Sequence, residues 1–124
     1  MIKLKFESLP PSINACYRTG RGRMYKSKRL VQYETDIKDY LENVKYEKLT
    51  GDIKLTVQFN CKSRRKRDLD NMLKPLIDSL ETNELFDNDN QIFEINCSKR
   101  IGCESDSTVI YLSELTYNNY VSDL

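Results

Sequence analysis

The chain of 124 residues carries 20 Lys and Arg against 19 Asp and Glu, with 39% hydrophobic residues and no histidine. That length holds a single core, and the hydrophobic share excludes wholesale disorder. Without histidine, imidazole triads and imidazole acid–base chemistry are excluded, so any catalytic metal is expected to be a hard, oxygen-liganded ion such as magnesium or manganese.

Residues 2–7 alternate apolar and charged side chains, the pattern of a half-buried strand, and Pro10-Pro11 ends it. Ser12 to Ser27 is polar and basic, with Arg18, Arg21, Arg23, Tyr17 and Tyr25 interleaved around Gly20 and Gly22. It reads as a long basic loop or hairpin, and loops of this length in a small domain are more often functional than filler. Ser27 suits a helix N-cap, and Leu30, Tyr33, Ile37, Tyr40, Leu41 and Val44 recur at helical spacing, giving a helix near 28–45. Ile53, Leu55, Val57 and Phe59 then alternate with Lys54, Thr56, Gln58 and Asn60, the clearest strand in the sequence.

A second helix follows from the stripe Leu69, Met72, Leu73, Leu76, Ile77 and Leu80. Proline is tolerated in a first helical turn but not in an interior, so Pro75 places the regular start at about Asp70 to Met72. The alternative is an earlier start with a kink at Pro75. Two strands near 91–101 and 107–114 complete the pattern, and about 115–124 is expected to be a loose tail. The order β-α-β-α-β-β predicts one α+β domain over 1–124, with two helices on one side of a small mixed sheet.

Cys16, Cys61, Cys97 and Cys103 form no C-x-x-C pair, so reduced and mostly buried thiols are expected rather than a zinc site. No apolar run approaches the ~18–20 residues of a membrane span, and the first residues lack the apolar core of a signal peptide. A soluble protein with no membrane partner is the expectation.

The balanced total charge conceals a split: residues 1–67 hold 17 Lys/Arg against 7 Asp/Glu, and residues 68–124 hold 3 against 12. At the boundary, the cations Lys62, Arg64, Arg65, Lys66 and Arg67 run directly into Asp68 and Asp70, followed by Asn71 and Lys74. Cations that attract a polyanion thus abut carboxylates that need a divalent metal to approach one, the pairing that metal-dependent cutting of nucleic acid requires. In extended chain, two acids spaced by one residue project to the same side, so both can reach one metal if the helix begins at or after Asp70. Lys74 then lies one turn further on, placed to hold a phosphate oxygen or stabilise charge in the transition state. A third carboxylate comes from Asp87-Asn88-Asp89-Asn90-Gln91. Each piece has a plainer reading: an aspartate N-cap with Lys74 as its i+4 ion pair, a polar Asn/Asp turn, and a solvated basic face. Their conjunction is much less easily explained that way, since capping requires no basic tract before it.

These residues also follow a known order. Pro10-Pro11-Ser12-x-Asn14, Tyr17-Arg18, Arg21-Gly22-Arg23, the run Arg-Arg-Lys-Arg-Asp-Leu-Asp-Asn at 64–71 with Lys74, and Asp89-x-Gln91 before a strand resemble the RusA family of Holliday junction resolvases. The resemblance covers most of the chain and implies a small, dimeric, magnesium-dependent endonuclease of phages and prophages, with manganese as a possible substitute. Its metal-binding aspartates would fall on Asp68, Asp70 and Asp89, and its catalytic lysine on Lys74. Where many members carry two adjacent acids before x-Gln, Asn88 stands here in place of the first, and Asp87 is the second choice to Asp89. The resemblance implies resolution of four-way junctions by paired symmetric nicks in DNA recombination and repair. It places the protein in the cytoplasm, the host's if phage-encoded, with branched DNA as substrate and no small-molecule substrate. Arg18, Arg21, Arg23, Lys62, Arg64, Arg65, Lys66, Arg67 and Asn71 are the expected DNA contacts. The competing readings are a catalytically silent branched-DNA-binding protein of the same fold, a less selective fork or flap nuclease, and an assembly protein whose acids merely cap a helix.

Overall fold

The computed structural model describes residues 1–115; the expected tail beyond Leu115 lies outside the described residues. In β1 (Ile2–Phe6), Ile2, Leu4 and Phe6 are buried while Lys3 and Lys5 face outward. A short 3₁₀ turn, Ile13–Ala15, leads into a hairpin of β2 (Tyr17–Gly20) and β3 (Arg23–Lys26). Arg21 and Gly22 form its two-residue turn with φ of 52° and 72°. Two successive left-handed residues match the right-handed twist of the strands they join, and glycine makes the second free of strain. The hairpin forms a two-stranded sheet of its own, with all eight strand residues exposed.

Helix α1 (Lys28–Glu42) begins at the expected cap: the Leu30 amide donates to Ser27 Oγ at 3.2 Å. It buries Leu30, Tyr33, Ile37 and Leu41. Strand β4 (Ile53–Cys61) buries alternate residues along its whole length, as its sequence pattern demands. Helix α2 (Leu69–Thr82) follows, then a 3₁₀ turn at Asp89–Gln91, β5 (Ile92–Ile101) and β6 (Ser107–Glu114). The main sheet has the order β1-β6-β4-β5, with β4 and β5 parallel and the other pairs antiparallel. It is the mixed sheet of an α+β fold, with both helices contributing to the core on one face.

Leu4 pairs with Ile110 and Val57 with Ile110, so the inward residues of β1, β6 and β4 line up across the sheet under Ile37, Leu41, Met72, Leu76 and Leu80. Phe59 sits in this layer with 0% exposure. Phe59→Ala should cost about 3–5 kcal/mol through lost burial and an unfilled cavity. Urea unfolding monitored by circular dichroism measures it; a loss below about 1 kcal/mol would contradict the placement of this ring in the core.

One boundary differs from expectation. Helix α2 starts at Leu69 with Asp68 as N-cap residue, so Pro75 lies inside it rather than in the first turn. The alternative start is therefore the observed one. Proline at this position leaves the Asn71 carbonyl without its usual intrahelical donor. Burial compensates: Pro75, Met72, Leu76, Ile77 and Leu80 are all buried, and the Pro75 carbonyl accepts from Ser79 Oγ at 2.9 Å. The four cysteines are free; burial pushes the Cys16 and Cys97 thiols above the ordinary range and so keeps them protonated. Among the described residues no helix is long and apolar enough to cross a membrane.

Candidate active site

Strand β4 delivers the chain directly into the basic tract, which is held at both ends. The Lys62 amide donates to Asp106 Oδ1 at 2.8 Å, and Lys99 Nζ of β5 donates to the Arg67 carbonyl at 2.6 Å. Lys62, Arg64, Arg65 and Lys66 are exposed and Arg67 is half-buried. Lys5, Lys26, Lys48, Lys54 and Lys74 all have carboxylate partners, whereas among the described residues none of Arg64, Arg65, Lys66 and Arg67 does. The fold thus leaves uncompensated the charges that the sequence concentrates here, as a phosphate-binding surface requires. Arg18, Arg21 and Arg23 stand exposed on the hairpin, likewise without an ion-pair partner among the described residues. The hairpin is anchored at its base: Lys26 Nζ reaches both oxygens of Glu34 at 3.1 Å, and Tyr17 shares a cleft of about 220 Å³ with Lys74 and Asp78.

Asp68 occupies the N-cap position of α2 in extended conformation, yet its side chain makes no capping hydrogen bond. Its carboxylate meets instead the Asn71 carboxamide, Nδ2 to Oδ2 at 3.4 Å, and otherwise faces solvent. Asp70 follows in the first turn of the helix, also exposed; because α2 begins at Leu69, before Asp70, the expected placement of both acids in extended chain on one side is not met, and only Asp68 is extended. The plain capping explanation predicts a carboxylate committed to backbone amides and Lys74 paired with Asp70. Neither is present. Both acids are left available at the positive end of a helix, next to a cationic loop.

Lys74 pairs with two other acids: Nζ lies 2.8 Å from Asp78 Oδ1 and 3.8 Å from Asp89 Oδ2. The hydrogen bond to Asp78, with the nearby charges of Asp89 and Glu81, holds the lysine above its usual pKa, so it stays an ammonium through the neutral and mildly alkaline range. Asp89 is positioned by the helix as well, its amide donating to Glu81 Oε2 at 2.6 Å. The surrounding turn is stiffened by Gln91, whose Oε1 accepts from the amides of Asp87 and Asn88 and whose Nε2 bonds the carbonyls of Leu49 and Gly51. Asp87 points elsewhere, paired with Lys48. Of the two candidate acids before Gln91, Asp89 is the one beside Lys74. Asp78 and Glu81 were not among the expected site residues; their spacing from Lys74, four and seven residues, was the available signal.

The expected convergence of Asp68, Asp70 and Asp89 is not found in a single chain. Among the described residues no three acidic or cysteine side chains stand close enough to hold a metal ion together. Topology explains this. Asp68 and Asp70 follow the C-terminal end of β4, whereas Asp89 precedes the N-terminal end of its parallel neighbour β5, where Ile53 pairs with Ile92. The Asp89 amide is held by Glu81 near the end of α2, while its carboxylate reaches back to within 3.8 Å of Lys74 Nζ, one turn beyond Asp70. Lys74 stands between the two groups.

Similarity to known proteins decides the family. Residues 8–112 match the family model described as endodeoxyribonuclease RusA. This chain belongs to the RusA family. A crossover junction endodeoxyribonuclease RusA of Aquifex aeolicus (strain VF5) is 33% identical over 111 residues, 88% of each chain. A crossover junction endodeoxyribonuclease of Enterobacteria phage HK97 is 28% identical over 107 residues, 86% of this chain and 89% of the relative. That of Escherichia coli (strain K12) is 30% identical over 91 residues, 73% of this chain and 76% of the relative. The matched RusA region contains every candidate site residue, from Arg18 of the hairpin to Asp89.

Proposed function

We propose that this RusA-family chain is a magnesium-dependent, structure-selective endodeoxyribonuclease that acts as a homodimer and resolves four-way junctions by paired symmetric nicks. The observation that carries the reading is the Asp68–Asp70 pair: a helix-start aspartate that does not cap its helix, beside a tract of unpaired cations. The names of the relatives support the same activity.

The donor set suits a hard cation, since Asp68 and Asp70 offer exposed carboxylate oxygens and Asn71 orients the first of them. Magnesium keeps several waters and is commonly held by one or two carboxylates plus substrate phosphate, so two acids suffice to begin a site. When bound there, magnesium or manganese would lower the pKa of a coordinated water and polarise the scissile phosphate. The protein's own residues do the rest. Arg64, Arg65, Lys66 and Arg67 bind the approaching strand, and the hairpin arginines Arg18, Arg21 and Arg23 reach toward the branch point. Lys74 offers a permanent positive charge to the phosphate as negative charge accumulates on it.

Among the described residues Asp89 forms no three-acid cluster with Asp68 and Asp70, and we infer that a second protomer's Asp89 completes the set. A four-way junction has approximate two-fold symmetry and needs two cuts, which a symmetric dimer supplies. Mixing two inactive proteins, Asp70→Asn and Asp89→Asn, should then restore single nicks, because each mixed dimer rebuilds one complete set of acids. Failure of mixing to restore any cleavage, with subunit exchange verified by a size tag, would place Asp89 with the acids of its own chain.

The reading as a whole is tested by incubating a labelled four-way junction with the protein and magnesium and mapping the cuts. Symmetrically related nicks support it. Binding without cleavage would make the protein a silent branched-DNA binder, and equal cutting of forks and flaps would make it a less selective nuclease.

A further inference from the structure

The turn Pro10-Pro11-Ser12-Ile13-Asn14 contributes nothing to the acids described above, yet it is built with care. Ser12 Oγ accepts from the Asn14 amide at 3.3 Å, and the Ser12 carbonyl accepts from the Ala15 amide at 2.8 Å. Ser27, the cap of α1, ties the turn down by donating from Oγ to the Ala15 carbonyl at 2.6 Å. The turn therefore forms one fixed wall of a cleft of about 310 Å³, lined by Ser12, Asn14, Arg29, Arg67, Asp68 and Asn71 among others. That volume lies within the ~300–1,000 Å³ typical of small-ligand sites and is generous for a lone phosphate.

Arg67 carries a second sign of a missing partner. Its Nη1 is shielded from solvent and has no hydrogen-bond acceptor among the described residues. Leaving a buried donor unsatisfied is costly, the more so for a charged group, so the site is arranged for an acceptor brought from outside. Arg29, Arg65, Lys66 and Arg67 all line the cleft, none has an ion-pair partner among the described residues, and Asp68 is the single lining acid. The ligand is thus anionic. Asn14 and Asn71 add carboxamides, which both donate and accept, and Pro10 and Met72 add apolar surface. Cations, carboxamides and apolar walls together match a nucleotide with its base unstacked better than a backbone phosphate alone.

We propose that this cleft seats one unstacked nucleotide of the strand being cut, its phosphate on Arg29 and Arg67 and its base edge against Asn14. The inference rests on the nuclease reading and gives it a source of selectivity. Extracting a base from a duplex costs stacking and pairing, least where pairing is already broken, and a branch point is such a place. A continuous duplex would pay that cost in full and so bind without entering the cleft.

The test uses the full chain with a four-way junction carrying 2-aminopurine at positions flanking the cut, and a linear duplex of the same sequence. Without metal, wild-type protein should raise the emission of one junction position several-fold and leave the duplex unchanged. Asn14→Ala and Arg29→Gln alter exposed side chains, so folding is retained. Each should remove most of the rise and reduce the preference for junction over duplex about tenfold, and Arg29→Gln should also lower the salt slope of binding by about one. The same wild-type sample is then given magnesium. Junction cleavage without any emission change overturns this inference and leaves the nuclease reading standing. No cleavage and no junction preference overturn both. An emission rise that survives in both variants shows that the base unstacks elsewhere and also overturns the inference.

Discussion

Asp70→Asn should abolish junction cleavage, lowering turnover by at least ~10²–10³-fold, the scale seen on removing one electrostatic contributor to a transition state. Binding of the junction should persist or tighten. The two effects separate because Asp70 sits exposed in the first turn of α2, outside the buried stripe of that helix. Exchanging its carboxylate for an amide removes the proposed hard-cation ligand and one negative charge but leaves the fold and the unpaired cations of the neighbouring loop in place. Single-turnover cleavage in magnesium and gel-shift binding without it measure the two quantities. Turnover within twofold of wild type would remove Asp70 from the metal site and return it to an ordinary first-turn acid.

Lys74→Ala is the second large effect expected, a fall of about 10²–10³-fold in the rate at saturating junction with at most a few-fold loss of affinity. Lys74 lies between the acids at the start of α2 and Asp89, and its Nζ already engages Asp78 and Asp89. In the proposed substrate complex it would exchange carboxylate oxygens for phosphate oxygens while keeping its charge, which the neighbouring acids secure. Lys74→Arg should recover little, because a planar fork cannot occupy the compact position of an ammonium. Weaker binding with an unchanged rate at saturation would reduce Lys74 to a docking cation.

The identity of the acids at the end of α2 shows how far a linear reading reaches. Asp89 was the first choice before Gln91 and Asp87 the second, and the fold gives them different partners: Asp87 pairs with Lys48 and Asp89 with Lys74. Lys48 is distant in sequence, so no local pattern could have announced that pair. Asp78 and Glu81 were legible as helix neighbours of Lys74; the Asp78–Lys74 bond is local to α2, whereas Glu81's hold on Asp89 depends on where the Asn88–Gln91 turn packs.

Local periodicity determined most of the elements. Alternation along β4, the apolar stripe of α2 and the Ser27 cap each reflect burial of one face, a property that a short window of residues records. The basic tract running into Asp68 and Asp70 was equally visible, because both features are contiguous. Tertiary structure alone decided that α2 begins at Leu69 despite Pro75, since burial of the stripe outweighs one lost helical hydrogen bond. It also decided that β5 lies parallel to β4, so that Asp89 enters ahead of β5 and meets Lys74 rather than clustering with Asp68 and Asp70. Strand order is set by packing between distant segments, and their pairing leaves no mark in the periodicity of either one.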